Sequence, residues 1–181
     1  MSEPDFELIR RVLRGETAAF EVLVGRYQPL ILRLTRRMTR NAEDAEDLAQ
    51  DAFVQAFRSL AGFHGQASFS TWLYRIAVNR CLNHLRAARR EDPVEVDGNI
   101  PDARGDSLAD LLAAERHRAL AAAIEELPPQ QRATLTLRVY QGLGHREIAE
   151  ILDCAEGTAK ANYFHAIRRL QRKLEALRNP S

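Results

Sequence analysis

Apolar residues recur at helical spacing along almost the whole chain, and this period constrains the fold more than any other feature. Between positions 41 and 60 they form one stripe with i, i+3, i+4 and i+7 spacing. The stripe consists of Ala45, Leu48, Ala49, Ala52, Phe53, Ala56, Phe57 and Leu60. Asn41 precedes it as a favourable N-cap, and carboxylates crowd the first turns, where the helix dipole favours them. No segment keeps the alternation of a β-strand, so the sequence predicts an all-α protein.

Other segments carry the same helical period. Helices are expected at about 6–13, 20–34, 71–89, 108–126, 130–140 and 145–152, and a last helix is expected to begin with Thr158 as its N-cap. Pro29 lies inside the second of these segments and predicts a kink or a break. The inward face of the last helix is expected to comprise Ala159, Tyr163, Ile167, Leu170, Leu174 and Leu177.

Residues 91–107 interrupt the helical pattern with two prolines, two glycines and six acids. They show no apolar period, and this composition is typical of a linker. The chain is therefore expected to form two small helical domains, 1–90 and 108–181, joined by the acidic linker 91–107.

Composition and motifs exclude several classes of protein. No run of about 20 apolar residues could span a membrane, and residues 1–14 lack the apolar core of a secretory signal. Cys81 and Cys154 are too few for a disulfide framework or a Cys-x-x-Cys metal pair, which favours the reducing cytoplasm. No nucleophile motif, dinucleotide loop or zinc motif is present, so neither catalysis nor a cofactor is expected.

The formal net charge of +1 conceals a segmented distribution. Residues 61–90 carry five basic and no acidic side chains, and residues 128–181 carry nine basic and five acidic ones. Residues 91–127, between them, carry three basic and ten acidic side chains. Because screening acts over about 8 Å at physiological salt, a partner experiences each segment rather than the total. Two basic segments in separate domains suggest two contacts with nucleic acid.

The most specific local pattern is a helix-turn-helix near the C-terminus. A short apolar helix over 145–152, a turn through Gly157 and a basic last helix match that unit. The start of its second helix would enter the major groove, where side chains meet base edges and phosphates. The candidate DNA-binding residues are Thr158, Lys160, Ala161, Asn162, Phe164, His165, Arg168 and Arg169. A helical bundle whose last helix is simply solvated is the alternative.

Residues 63–90 combine aromatic side chains with arginines, which together can hold single-stranded nucleic acid. Asn79 and Asn83 lie four residues apart on one helix face beside the 63–70 loop, and they could hydrogen-bond an extruded base. Trp72 is assigned to the core, because an aromatic residue at helical spacing more often packs inside.

A cluster of acids lies at the start of the helix that follows Asn41. Carboxylates at this spacing could hold Mg²⁺, as in all-α prenyl-transfer enzymes, but no second acidic helix is present to complete such a site. A solvated face and a docking face for a basic helix are the other interpretations. The cluster consists of Glu43, Asp44, Glu46, Asp47 and Asp51.

Taken together, these segments closely resemble the extracytoplasmic-function (ECF) sigma factors, the small two-domain initiation factors of bacterial RNA polymerase. In the first domain the resemblance rests on FEVL (20–23), RY (26–27), DAEDLAQDAF (44–53) and FSTWLYRIAVN (69–79). In the second it rests on LP (127–128), GL (142–143), EIAEIL (147–152) and GTAK (157–160). It covers nearly the whole chain apart from the linker.

The resemblance implies polymerase docking and promoter recognition by defined residues. The first domain would bind the clamp helices of the largest catalytic subunit through Glu43, Asp47, Gln50 and Asp51. It would capture a flipped base of the −10 element, and assist melting, with Phe63, His64, Ser68, Arg75, Asn79, Asn83 and Arg86. The second domain would bind the flap of the second-largest subunit and recognise the −35 element through the last helix.

The resemblance also implies a cytoplasmic protein with an anti-sigma partner, no cofactor and no membrane insertion. Asn162 and His165 replace arginines that are common in the family, so a −35 sequence different from the commonest one is expected. Gly144 replaces the hydroxyl residue that commonly caps the helix before the turn.

Two other functions remain open from the residues themselves. A stand-alone helix-turn-helix regulator would bind duplex DNA tightly without polymerase, which a gel shift would detect. A helical Mg²⁺ enzyme using the 43–51 cluster would bind Mg²⁺ in isothermal titration.

Overall fold

The computed structural model describes residues 3–39, 41–91 and 118–178. The linker predicted at 91–107, apart from Glu91, and the start of the helix predicted at 108–126 lie outside these residues. The described part contains helices and connecting turns and no strand, which confirms the all-α prediction. The helices are α1 (Asp5–Leu13), α2 (Ala18–Met38), α3 (Ala42–Ser59), α4 (Phe69–Glu91), α5 (118–125), α6 (Pro129–Tyr140), α7 (His145–Leu152) and α8 (Glu156–Arg178), with a 3₁₀ turn at Leu60–Gly62.

Local signals explain where several helices begin and continue. The Asn41 side chain accepts a hydrogen bond from the Glu43 backbone N–H at 2.8 Å, which confirms the predicted N-cap of α3. Helix α2 does not break at Pro29 but runs on to Met38. Ile31 and Leu34, which follow the proline, are fully buried. Their packing offsets the hydrogen bond that proline removes.

The last helix begins earlier than the sequence predicts, so Thr158 is not its N-cap. Asp153 adopts a left-handed conformation with φ 50° and ends α7. The Cys154 N–H then donates to the Ala149 carbonyl at 3.0 Å, and this hydrogen bond closes a short turn after α7. Helix α8 therefore starts at Glu156, and Thr158 lies in its first turn.

Three apolar residues differ from their predicted environment. Phe57 was expected inside but is 43 % exposed and packs edge-on against Phe20, with ring centroids 5.0 Å apart. Leu174 is also predicted to lie inside but is 36 % exposed, because among the described residues the core beneath α8 ends one turn earlier, at Leu170. Ala166, which the predicted inward face of α8 does not include, is fully buried on that face.

The two halves of the molecule share one hydrophobic core. Its buried residues come from α1 to α4, from α6 and α7, and from Ala159 at the start of α8. A smaller core lies within the C-terminal half and comprises Ala123, Leu127, Leu135, Ala166 and Leu170. Helix α4 packs on α7, and α2 packs on α6. The halves are therefore in direct contact.

Candidate nucleic-acid and polymerase interfaces

The outward face of α3 joins polar and apolar side chains in one line. Glu43, Asp47 and Gln50 are exposed along it, and Val54, one turn further on, is 48 % exposed. The opposite face of α3 is buried in the shared core, so these side chains cannot turn inward. We call Glu43, Asp47, Gln50 and Val54 the docking stripe.

The remaining acids of the predicted cluster are tied to neighbouring helices. Asp44 lies 3.3 Å from His84, Glu46 lies 2.9 Å from Arg36, and Asp51 lies 3.4 Å from Arg80. Glu43 and Asp47 form no ion pair with the described residues. The structure therefore separates two free carboxylates from three that hold α3 against α2 and α4.

A cavity of about 410 Å³ lies between the 63–70 loop and the start of α4. The loop turns at Gly65, whose φ of +71° is favourable for glycine and costly for most other residues. The cavity is lined in part by Phe63, His64, Gln66, Trp72, Arg75 and Glu150. Apart from the Glu150 carboxylate, these side chains offer ring faces, hydrogen-bonding groups and a cation, which are the groups that hold an unstacked base and its phosphate.

Two of the predicted −10 residues also hold this site together. Phe63 packs against Trp72 and Phe69, with ring centroids 5.3 and 5.9 Å away. The Ser68 hydroxyl accepts a hydrogen bond from the Thr71 backbone N–H at 3.1 Å, at the start of α4. Trp72, which the sequence predicts to be a core residue, is half-buried in this aromatic group and also lines the cavity.

The other predicted −10 residues follow the outer face of α4. Asn79, Asn83 and Arg86 are all exposed, and Arg86 donates to the Asn83 side-chain oxygen at 3.2 Å. Arg75 points elsewhere: its Nε donates to the main-chain oxygen of Glu150 at 3.0 Å, and its Nη2 donates to the same oxygen. The structure therefore brings the asparagines and Arg86 together but binds Arg75 to the other half of the molecule.

Helices α7 and α8 form the predicted helix-turn-helix. Gly144 at the N-cap of α7 has no side chain to accept a hydrogen bond, but its own N–H donates to the Glu147 carboxylate at 2.8 Å. This is half of a capping box, and it compensates in part for the missing hydroxyl. Ile148 and Ile151 of α7 are fully buried, so they fix the helix beneath α8.

The exposed face at the start of α8 carries most of the predicted −35 residues. Thr158, Lys160, Ala161, Phe164, His165, Arg168 and Arg169 are exposed, and Asn162 is half-buried at the edge. Lys160 lies 2.7 Å from Glu156, and this contact lowers the pKa of the Glu156 carboxyl. Phe164 is 55 % exposed, with the Arg168 guanidinium 5.5 Å from its ring centre. This surface combines the rings of Phe164 and His165, two small residues, and the cations Lys160 and Arg168.

Arg169 faces away from that surface. With Arg172, Lys173 and Glu126 it lines a second cavity, of about 330 Å³, between α5 and α8. Lys173 donates to both Glu126 carboxylate oxygens, at 2.8 and 2.9 Å. The structure therefore does not bring Arg169 together with the centre of the α8 face.

Three residues that shape these surfaces are not among the predicted site residues. Val54 was detectable as an apolar residue outside the buried stripe of its helix. Glu150 acts through its backbone oxygen, and Arg132 is a buried cation, so neither gives a local signal in the sequence.

Within the described ranges, no three His, Cys, Asp or Glu side chains come together in a way that could hold a metal ion. None of the helices in that part of the chain is both long and apolar enough to cross a bilayer.

Comparisons with known proteins agree with the segments described above. Residues 23–91 match the family Sigma-70 region 2, and residues 117–170 match the family Sigma-70, region 4. The chain is 39 % identical to RNA polymerase sigma-H factor of Pseudomonas aeruginosa, over 97 % of this chain and 96 % of that protein. It is 38 % identical to ECF RNA polymerase sigma-E factor of Haemophilus influenzae, over 96 % of each chain. The chain belongs to the ECF sigma factors.

This sigma factor is a transcription initiation factor and not an enzyme, and it directs RNA polymerase to specific promoters. Its fold matches the solved structure of CnrH in complex with the cytosolic domain of CnrY, with a TM-score of 0.71, 23 % identity and coverage of 96 % of this chain and 99 % of that one. It also matches the sigma factor RpoE of Bartonella quintana in complex with the anti-sigma factor NepR. That TM-score is 0.70 at 24 % identity, over 86 % of this chain and 96 % of that one.

Proposed function

We propose that this sigma factor uses three separate surfaces to bind polymerase and the two promoter elements. The docking stripe on α3 binds core polymerase, the loop cavity with the outer face of α4 captures a −10 base, and the exposed start of α8 recognises the −35 element. The cavity between the 63–70 loop and α4 is the observation that carries this proposal, because it joins ring faces, hydrogen-bonding groups and a cation at one site.

Base capture needs destabilised or single-stranded DNA, since extruding a base costs a few kcal/mol. The exposed amides of Asn79 and Asn83 lie on the same helix as Trp72 and Arg75, which line the cavity. An amide offers both a donor and an acceptor, so the pair can hydrogen-bond the edge of an unpaired base. We assign −10 recognition to this arrangement, and melting is assisted because the unpaired form is the one that binds.

The free carboxylates of α3 are the groups that we assign to polymerase binding. Glu43 and Asp47 have no ion partner among the described residues, and Val54 adds exposed apolar area beside them. A stripe of this kind fits a partner helix that is basic at one end and apolar at the other. Asp51 is bound to Arg80, so its contribution is to hold α4 rather than to contact polymerase directly.

Three further assignments follow from the family. An anti-sigma factor binds this chain, as NepR binds the sigma factor of the solved complex. The protein acts in the cytoplasm, where core polymerase is found. The C-terminal half also binds the flap of the second-largest subunit.

Reconstituted transcription tests the −10 assignment. Core polymerase with the purified sigma factor should produce promoter-specific transcripts from a genomic promoter library. The double variant Asn79→Ala, Asn83→Ala should lose most of these transcripts while binding core polymerase as tightly as the natural protein. Gln28→Ala, an exposed amide on α2, is the matched control. Equal loss of polymerase binding would remove the asparagines from the −10 site.

A further inference from the structure

Two arginines connect the halves of this sigma factor in a reciprocal way. Arg75 of α4 donates two hydrogen bonds to the main-chain oxygen of Glu150 in α7, the Nε bond at 3.0 Å. Arg132 of α6 donates from Nη1 to the main-chain oxygen of Met38, the last residue of α2, at 3.0 Å. Each half therefore supplies one guanidinium and one carbonyl.

Both carbonyls lie at the ends of helices. The last four carbonyls of a helix have no partner within it and carry the negative end of the helix dipole. A guanidinium is suited to such an acceptor because its donors are charged and fixed in one plane. The two contacts are therefore specific to the relative placement of the two halves.

Arg132 is a buried cation at this contact. It is 3 % exposed, and it also donates to the Glu125 main-chain oxygen at the end of α5. The contact between α2 and α6 helps to withhold its charge from water. Separation of the halves returns water to the guanidinium, which offsets part of the lost hydrogen bonding.

Further contacts support the same arrangement. The Tyr74 hydroxyl donates to the Gln141 side-chain oxygen at 2.9 Å, and the Arg37 guanidinium lies 3.4 Å from the centre of the Tyr140 ring. Beneath them, the apolar side chains of α7 lie in the shared core. Apolar burial stabilises the contact between the halves, and the hydrogen bonds of the two arginines fix their relative orientation.

Arg75 also belongs to the loop cavity, whose wall includes Glu150. Its guanidinium cannot bind the Glu150 carbonyl and a DNA phosphate with the same donors at the same time. Capture of a strand in the cavity and contact between the halves therefore compete for one side chain.

We propose that Arg75 and Arg132 form a two-point clasp that holds the two halves together in the free protein, and that single-stranded DNA opens the clasp by competing for Arg75. The second part rests on the proposed −10 role of the cavity. When the clasped form cannot bind the strand, the observed affinity is the intrinsic affinity multiplied by the unclasped fraction.

The test compares Arg132→Met with the natural full-length protein. Methionine keeps an apolar stem in the buried site and removes the guanidinium, and Arg132 lies outside the cavity. Arg138→Met is the matched control, because Arg138 donates to the Leu143 carbonyl at 2.8 Å within the same half. Small-angle X-ray scattering reports the size of each particle, and fluorescence anisotropy reports binding of a labelled random single strand of about 12 nucleotides.

Arg132→Met should have a larger radius of gyration than the natural protein and bind the strand more tightly. The gain is about tenfold if about nine molecules in ten are clasped. Arg138→Met should match the natural protein in both measurements, and the strand alone should expand the natural protein. Identical scattering and affinity for Arg132→Met and the natural protein would overturn the clasp.

Arg75→Gln provides an independent check that does not depend on a buried site. It should expand the particle like Arg132→Met but gain no affinity for the strand, because it loses its own phosphate contact. An unexpanded Arg75→Gln particle would contradict the clasp. If no protein binds the strand while both variants expand, the −10 assignment is wrong and the clasp stands.

Discussion

Asp47 and Asp51 are one turn apart on the same helix, yet the structure gives them different surroundings. Asp51 is paired with Arg80 of α4, whereas Asp47 has no ion partner among the described residues. The two are equivalent in the sequence, because the cation that distinguishes them lies 29 positions away along the chain. A residue's exposure and its freedom to bind a partner are therefore separate properties. Only the folded structure shows which exposed carboxylate is already paired.

Charge reversal at Asp47 should weaken binding to core polymerase. Asp47→Arg places a cation in the docking stripe, where a basic partner would repel it, and we expect a loss of about tenfold or more in affinity. Glu21→Arg, at an exposed acid of α2, should leave the affinity unchanged. Binding is measured by fluorescence titration with core polymerase. An unaltered dissociation constant for Asp47→Arg would remove α3 from the interface.

Cys81 should make the fold sensitive to alkaline pH. Burial raises the pKa of its thiol from 9.0 to about 12, and burial also raises the pKa values of Tyr27 and Tyr74. The unfolded thiol ionises first as pH rises, so its contribution to stability is complete below about pH 9 and is lost towards pH 12. The loss is at most about 1.4 kcal/mol per pH unit from this thiol.

Urea unfolding between pH 8 and 11 measures that slope. Cys81→Ala should be less stable near neutral pH but lose less stability as pH rises, because only the tyrosines and Cys154, whose pKa burial also raises, remain. Alkylation of the folded protein should modify Cys154, which is half-buried, well before Cys81. A pH slope that is the same with and without Cys81 would contradict this expectation.

At the scale of elements, local contacts set the ends of helix α7 in the helix-turn-helix, and distant contacts set its direction. The Glu147 carboxylate accepts a hydrogen bond from the Gly144 N–H at the start of α7, and the left-handed Asp153 ends the helix. Both signals lie within a few residues of the helix itself. Its direction, however, is set by Ile148 and Ile151, which are buried in a core that includes α2 and α4. The sequence therefore predicts the bounds of α7 correctly, while its placement depends on the other half of the chain.

Phe164 should be specific to the −35 element. It is the largest exposed apolar side chain on the α8 face, and apolar groups there contact thymine methyls in the major groove. Phe164→Ala should reduce transcription from promoters that depend on their −35 element by about tenfold, which corresponds to about 1.4 kcal/mol. Gln171→Ala, exposed further along α8, should retain full activity.

Transcription from templates with and without the −35 element provides the comparison. If Phe164→Ala lowers both equally, the residue supports the fold or polymerase binding rather than DNA recognition.

At the scale of the whole molecule, the shared core makes the two halves depend on each other. The sequence predicts two domains from the composition of 91–107, and each half does carry its own sigma-region match. The structure adds that α4 packs on α7 and α2 packs on α6. A contact of this kind has no pattern in either half alone, because each buried face also satisfies the period of an ordinary amphipathic helix.

Ile151→Ala should therefore destabilise both halves. It removes a fully buried side chain from the shared core, at a cost of about 2–5 kcal/mol, and should speed amide hydrogen exchange in α4 as well as in α7. Leu170→Ala, in the smaller core, should affect α8 but leave α4 protected. Unchanged exchange in α4 for Ile151→Ala would show that the halves unfold independently.

The sequence by itself determined the helices, the helix-turn-helix and the family of this sigma factor. These properties depend on spacing, caps and short motifs, whose physical causes act within a few turns of the chain. The tertiary structure decided which acids of α3 are free, how far Phe57 is exposed, and where the Arg75 guanidinium is bound. Each of these depends on a partner from another helix, and only folding brings that partner within reach.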